Sequence, residues 1–577
     1  MPRFTNKEVA TLLTNIGNLL EIKGENRFKI LAYRKAADNI SHLGQDLFGL
    51  WEGGENLKNL EGIGQAIADK LDELFKTGKL RFWEKLVAEV PESLTEVLNI
   101  PDVGPKLAKS MWQELGLTTL AEVKAAAQAG RLRDLPRMGA KSEARILASI
   151  ESLERRETDR VHLGIAWPLA MSVVSALQDL PEVIKIETAG SLRRMCETIG
   201  DLDFLVATEN SGPIMAAFKK LPSVSEVVGA GETKTSVRFS NGMQADLRTL
   251  QPQYWGAALQ YFTGSKNHNV KIRELAQKKG FSLNEYALTR ESDGQDLLFE
   301  DEAALYEFLG LAYIPPYLRE DWGEIDAVRR GALPGGLRIK DIKGEAHCHS
   351  TWSDGTHSIE DMARAALKRG YQYLAITDHS QSLGVANGLT PERLREQRAE
   401  IESVRQRVSG IRLLQGTEME IKADGSLDFP DEILAELDFV VASVHTGLRQ
   451  DRETLTRRAL AAIHNPHVKL LGHPTGRLLP NREAGDFDME VIFKAAAETA
   501  TLLEINASPE RLDLSAEYAR RAIQMGVKLM INCDAHHVDG FDNLHFGVAT
   551  ACRGWADVED IANTRPFDEF EALLKRA

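Results

Sequence analysis

Apolar residues recur at helical spacing from the start of the chain to about residue 155, as in Val9–Leu20 and Ile67–Phe75, so each such stretch turns one face inward. This spacing predicts a helical N-terminal region. After residue 160 the period shortens, and β-rich runs at Val183–Thr188, Leu202–Ala207 and Ala245–Leu250 predict strands, followed by helical text through Leu311. The stretch Ala312–Lys340, with Pro315-Pro316, Pro334 and Gly335-Gly336, predicts a linker. From there on, short apolar strands alternate with amphipathic helices, the pattern of a β/α barrel or an open parallel sheet. At 577 residues the chain exceeds what one hydrophobic core organises, and about 150 residues per domain gives about four folding units.

Composition, at 43% hydrophobic and 27% charged, is that of a globular protein. No apolar run is long enough for a bilayer and no apolar leader follows a basic start, so the expected setting is the cytoplasm. The four cysteines, Cys196, Cys348, Cys533 and Cys552, are too few and too scattered for a disulfide framework and are expected as small buried residues. A net charge of −15 argues against a simple basic nucleic-acid binder, yet residues 1–160 balance 24 Lys+Arg against 24 Asp+Glu. A neutral domain still holds phosphates when backbone amides supply the contacts.

The helical region carries one near-repeat: Leu60-Glu61-Gly62-Ile63-Gly64, Ile100-Pro101-Asp102-Val103-Gly104 and Leu135-Pro136-Arg137-Met138-Gly139, each before a helix. These resemble helix-hairpin-helix elements. A glycine hairpin before a helix N-terminus leaves amides free to hold a backbone phosphate without reading sequence. A single copy reads equally well as a packing unit; three copies favour DNA. Asp102 and Arg137 depart from the pattern, so the expected phosphate-holding residues are Gly62, Gly64 and Gly104.

Downstream lie Gly190-Ser191-Leu192-Arg193-Arg194 and then Asp201-Leu202-Asp203 on a strand-like run. Alternation along a strand points Asp201 and Asp203 the same way, able to share divalent cations. Asp246, in Gln244-Ala245-Asp246-Leu247-Arg248, is the natural third carboxylate. Phosphoryl transfer needs these parts: paired metals, Mg2+ or Mn2+, and a cradle for a triphosphate, here Gly190, Ser191 and Arg194. Alone, the aspartate pair would read as two surface residues on an edge strand.

Together these motifs resemble the family X DNA polymerases. The match continues through Tyr261-Phe262-Thr263-Gly264-Ser265, Asn269 and Arg273. The resemblance implies that Tyr261, Phe262, Gly264 and Asn269 shape a nucleotide pocket and that Arg273 lies on the template side. It departs at Lys266 and Gln244, where polymerase beta has an aspartate and an arginine. It also extends to Ala32-Tyr33-Arg34-Lys35-Ala36-Ala37 and places Lys70 at the family's Schiff-base lysine, although most helix lysines are solvated surface residues.

The last third holds 11 of the 14 histidines. Several apolar runs end in a metal-ligand type of residue, and in a β/α barrel such ends converge on one face. The candidates are His347, His349, Asp354, His379, Glu418, His445, His473, Asp534 and His536. That set suits three metals with Glu418 bridging, and its mixed nitrogen and oxygen donors suit Mn2+, Zn2+ or Fe2+. Arg477 and Arg511 are expected near substrate phosphate, whereas His464, His467, His537 and His545 fall outside the pattern. This constellation resembles the PHP (polymerase and histidinol phosphatase) family, which implies a distorted β/α barrel with a trinuclear centre.

The combined resemblance implies six segments: a helical, lyase-like DNA-end-binding domain (1–85), helix-hairpin-helix fingers (86–158), an α+β nucleotidyltransferase palm (159–250), a thumb (251–315), a linker (316–342) and a PHP phosphoesterase domain (343–577). The expected function is template-directed filling of short gaps in repair, with a metal-dependent 3′–5′ exonuclease or 3′-end-processing activity, an AP endonuclease included. Gapped or nicked DNA and dNTPs are the expected partners, with no membrane, and the chain is expected as a monomer. Two alternatives are a polymerase fused to a small-molecule phosphatase and a non-catalytic DNA-end scaffold.

Overall fold

A computed structural model describes residues 4, 6–41, 47–60, 62–98, 100, 103–136, 138–158 and 160–575. Glu61, Pro101, Asp102 and Arg137 of the hairpin motifs lie outside the described residues. The chain forms two compact units, Met1–Arg160 and Val161–Ala577.

The first unit is helical throughout its described residues. Helices Asn6–Lys23 and Arg27–Ser41 pack together where Gly17 leaves room, since a Cβ there would sit 3.3 Å from Arg34 Cγ. Val9, Leu13, Ile16 and Leu20 fill the core from one face, each such burial stabilising by about 1.5–3 kcal/mol. Each hairpin runs into a helix: Gln65–Thr77 after Gly64, Pro105–Leu115 after Gly104, and Ala140–Thr158 after Gly139.

The second unit begins with a five-stranded sheet in the order Lys185–Thr188, Asp201–Ala207, Gln244–Leu250, Lys234–Phe239, Val224–Ala230. Its single parallel pairing sets Asp203 opposite Asp246. Alternation divides the faces. Leu202, Phe204, Val206, Ala245 and Leu247 join a core with helix Leu163–Leu177, while Leu205 and Ala207 are covered by Trp255, Ala258 and Leu259. Asp201 and Asp203, near the start of their strand, share the face of Leu205 and Ala207.

Helices Trp255–Thr263 and Lys266–Lys278 follow, and then the expectation of helical text fails. Phe281–Leu283, Leu288–Arg290 and Asp296–Leu297 form a three-stranded antiparallel sheet, with strands too short for a period to show in sequence. The stretch 316–342, expected as a linker, is anchored at intervals: Leu318, Arg319, Glu324, Leu337 and Ile342 are buried, while residues 329–332 and 338–340 are exposed. Proline and glycine there interrupt regular elements between the buried anchors.

Seven parallel strands, from Gly344–Glu345 to Leu529–Asn532, pair in sequence order, and a bridge between Cys348 and Ala535 brings the first back to the last. The result is a nearly closed barrel. Its strands are buried on both sides and read as continuous apolar runs. The C-terminal helix Phe567–Leu574 plugs the end where strands begin, Phe570 stacking on Tyr373 at 4.5 Å. Ligand-type residues occupy the other end. Cys348, Cys533 and Cys552 are buried and Cys196 is half-buried, all as free thiols.

Candidate metal centres in palm and barrel

On the palm, Asp201 is exposed and Asp203 and Asp246 are half-buried, side by side on adjacent strands. Burial and the neighbouring Asp201 and Asp246 charges push the Asp203 carboxyl up to about 7. Asp246 is also burdened by burial, but Lys234, 2.6 Å away, and Ser236 hold it below the usual carboxylate range. Gln244, the position that departs from polymerase beta, donates to Asp246 at 3.3 Å. A hard-oxygen cluster whose central member is raised by burial and by its two carboxylate neighbours suits divalent cations.

Gly190 serves a purpose beyond leaving room for a ligand. Its φ is +60°, and a Cβ there would meet Asp203 Oδ2 at 2.6 Å, so the turn needs glycine to let that carboxylate stand. Ser191 lies in the short helical turn Gly190–Arg193 that starts at this point. Arg194, expected on phosphate, is engaged internally: Nε donates to Glu320 at 3.0 Å and Nη1 to the Thr263 carbonyl at 2.6 Å. Arg193 donates to Thr263 Oγ1 and pairs with Glu302, which also pairs with buried Arg319. This ionic network was not anticipated from sequence.

Tyr261 and Phe262 make an edge-to-face pair at 5.1 Å, and the Arg248 guanidinium lies 4.7 Å over Phe262. Gly264, with φ +72°, passes 3.1 Å from Arg194 Nη1 by its would-be Cβ. Asn269 receives from Gln260 and donates to the Tyr261 carbonyl, which fixes its amide behind the aromatic pair. Arg273 is exposed one helical turn further along. In the first unit, Gly62 has φ +78° and approaches Asn39 so closely that a Cβ would lie 2.3 Å from Nδ2. Gly64 and Gly104 are exposed caps of helices without side-chain caps, which leaves early amides open. Lys70 donates to the Ala66 carbonyl and lies 5.0 Å over Phe82.

All nine barrel candidates come together. Glu418, fully buried, has His473 Nε2 at 2.8 Å, His379 Nδ1 at 3.0 Å, His445 Nε2 at 3.2 Å, His347 Nε2 at 3.3 Å and His349 Nε2 at 3.6 Å. Asp534 lies 3.1 Å from His349, and Asp354 lies 3.4 Å from His536 and 3.5 Å from His379. Three overlapping groups have metal-site spacing: His349, Asp354, His379 and His536; His347, His349, Glu418 and Asp534; His379, Glu418 and His445. Several buried polar atoms here have no hydrogen-bond partner, among them His347 Nε2, His349 Nδ1, His379 Nδ1 and Glu418 Oε2. Orphaned polar atoms aimed at one another fit cations. Two of the residues, His473 at φ +26° and Asp534 at φ +51°, hold left-handed backbone at about 1–3 kcal/mol each.

Charge in this cluster is unevenly shared. Burial and the neighbouring His536 and His379 drive His349 down to about 3, and burial with Arg511 drives His473 down to about 4. His379 goes the other way: against burial, Glu418 and Asp354 lift it to about 10. Glu418 and Asp534 stay far below the carboxylate range because histidines outweigh burial. Protonated histidines thus balance the carboxylates, and cation binding would release those protons.

Sequence reading missed the supports. Glu504, in strand Leu502–Asn506, accepts from His347 Nδ1 at 2.7 Å and from the His473 amide, and is itself held by Asn506 and Asn532. Glu420 accepts from His445 Nδ1 at 2.7 Å. Such partners fix the ring orientation of a ligand histidine. The available signal was a charged residue inside an apolar run, Leu-Leu-Glu-Ile-Asn. Arg511 reaches Asp534 at 3.4 Å with Nη1 buried and unpartnered, whereas Arg477 pairs with Glu197 of the palm and not with the metal cluster.

A three-carboxylate palm and a histidine-rich barrel in one compact unit define a nucleotidyltransferase joined to a PHP-type phosphoesterase fold. Residues 4–80 match the helix-hairpin-helix domain, 94–152 the SAM-like helix-hairpin-helix tandem, 258–320 the DNA polymerase beta thumb and 345–508 the PHP domain. Over 572 residues, 99% of each chain, the sequence is 38% identical to the DNA polymerase/3′-5′ exonuclease PolX of Bacillus subtilis (strain 168). The chain belongs to the bacterial PolX branch of the family X DNA polymerases. The chain is also 32% identical over 206 residues to a probable phosphatase of Thermoanaerobacter sp. (strain X514), covering 33% of this chain and 78% of that one. A probable phosphatase of Caldicellulosiruptor bescii is 30% identical over 247 residues, 41% and 96% of the two chains. Among the described residues no helix is long and apolar enough to cross a membrane.

Proposed function

We propose that the palm adds dNTPs to a primer end in gapped DNA and that the barrel hydrolyses nucleotides from the same 3′ end. The observation that carries this reading is the parallel register of Asp203 with Asp246, beside Asp201, in a chain alike over its full length to a polymerase/exonuclease. Asp201, Asp203 and Asp246 would hold Mg2+ or Mn2+, and the nine barrel residues Mn2+, Zn2+ or Fe2+; such ions supply Lewis acidity and neutralise phosphate oxygens. Gly190 and Ser191 open the turn to a triphosphate, Tyr261 and Phe262 present their edge-to-face pair to the sugar, and Asn269 backs them. Arg273 contributes on the template side. The open first-turn amides of the helices that follow Gly64 and Gly104 hold DNA phosphates, with the turn at Gly62 placing the first of them, and Arg511 offers its free nitrogen to a phosphate at the barrel. Lys70, beside Phe82, is a DNA-end contact, with Schiff-base chemistry a finer reading of the same position.

Phosphatase names attach to relatives that cover only 33% and 41% of this chain, which makes free phosphate the alternative product. His349→Ala is expected to remove Mn-stimulated 3′ degradation while extension on gapped DNA continues. Degradation at the wild-type rate in that variant would break the assignment of the barrel.

Metal binding at the palm competes with the Asp203 proton. With that carboxyl at about 7, apparent Mg2+ affinity is expected to rise about tenfold between pH 6 and pH 8, read by calorimetric titration. Because the folded-state value lies above the unfolded one, the metal-free protein keeps this contribution to stability at low pH and loses it as pH rises through about 7. Added Mg2+ should cancel that loss. An affinity flat across this range would contradict it.

A further inference from the structure

Between the Gly190–Arg193 turn and the Asp201 strand runs a short connection, Arg194 to Gly200, whose geometry sets where both parts of the palm site stand. Barrel residues grip it in two places. Arg553, the last residue of helix Leu544–Arg553, donates to the Arg194 carbonyl at 2.7 Å and to Glu320 at 2.9 Å, the same carboxylate that receives Arg194. Arg477 gives Glu197 two bonds, Nη1 to Oε2 at 3.0 Å and Nη2 to Oε1 at 2.8 Å. Between the grips Met195 holds φ +54°, a backbone state that persists for a non-glycine residue where its surroundings over-determine it.

The grip is itself anchored. Arg477 donates Nε to the Arg511 carbonyl at 2.8 Å and Nη2 to the Leu512 carbonyl, and Leu512, fully buried, sits in the palm core with Phe546 of the barrel. Pro509 of the same loop lies against Gly164, where a Cβ would meet it at 2.5 Å. Both arginines are largely shielded from water, which keeps a bidentate pair strong.

We propose that Arg477, acting through Glu197, is a positioning residue for the palm's nucleotide site, so that the barrel completes the polymerase as well as carrying its own chemistry. This rests on the polymerase reading of the palm. A displaced turn would loosen the grip on the incoming triphosphate more than it would alter the reacting atoms, and small misplacements weigh heavily in such sites.

The test is single-nucleotide incorporation on gapped DNA by the full chain, with KM for dNTP and kcat separated, for Glu197→Gln, Arg477→Lys and the double variant. Each single change keeps the size of its side chain while weakening the bidentate pair. The expected result is a KM raised about tenfold in each single variant, kcat within about threefold of wild type, and a double variant no worse than the singles, as for partners in one interaction. Nuclease activity of Glu197→Gln stays at the wild-type level. An unchanged KM in Glu197→Gln, effects that multiply in the double variant, or nuclease and incorporation falling together would each overturn the proposal. Failure of the wild-type chain to incorporate any nucleotide would instead sink the polymerase reading itself.

Discussion

With Asp201 and Asp203 both replaced by alanine, nucleotide incorporation on gapped DNA is expected to fall by at least about a thousandfold while 3′ degradation proceeds at the wild-type rate. Removing one preorganised electrostatic partner from a reaction centre costs about 10²–10³ in turnover, and here two of three carboxylates go. The lone survivor, Asp246, is already paired with Lys234 at 2.6 Å and would be left as an ordinary ion pair. The change should not unfold the palm. Asp201 is exposed, and Asp203 is held in a state that favours its neutral form, so neither supports the fold through its charge. Primer extension undiminished in the double variant would remove the palm assignment.

The second large effect is expected from Glu418→Gln. This carboxylate sits among five histidine nitrogens, of His347, His349, His379, His445 and His473, and belongs to two of the three metal-spaced groups. An amide of the same shape keeps the packing but loses the charge that lifts His379 to about 10 and gives any cation an anionic partner. Metal content per chain should drop and nuclease activity should fall by about 10²–10³ or more. Incorporation should persist. Full metal content with full degradation in Glu418→Gln would show that the barrel does not need a bridging carboxylate.

Much of this was legible in sequence, for reasons that differ from element to element. The paired aspartates follow from the two-residue period of a strand, and the barrel ligands from their repeated position after apolar runs. What could not be read was anything set by approach between distant segments. Gly190 reads as a turn glycine, but only the fold shows it is the neighbour of Asp203. Glu504 lies inside a strand and not at its end, so its charge in an apolar run marks it, but its grip on His347 and His473 shows only in the fold. Arg194 and Arg477 were both expected on phosphate because arginines near ligand-bearing loops often are; in the fold each is held by a carboxylate contributed from a remote segment, Glu320 and Glu197. The short strands after Phe281 and the buried anchors between 316 and 342 are not legible in sequence because local composition reports backbone regularity and not pairing or burial.

Whether a single chain both extends and trims a DNA 3′ end is tested by a gapped duplex carrying a 5′-labelled primer, incubated with the wild-type chain and Mn2+, with and without dNTPs. The expected result is a primer lengthened through the gap when dNTPs are present and shortened stepwise when they are absent. A primer that lengthens but never shortens, with phosphate released only from small phosphate esters, would contradict it.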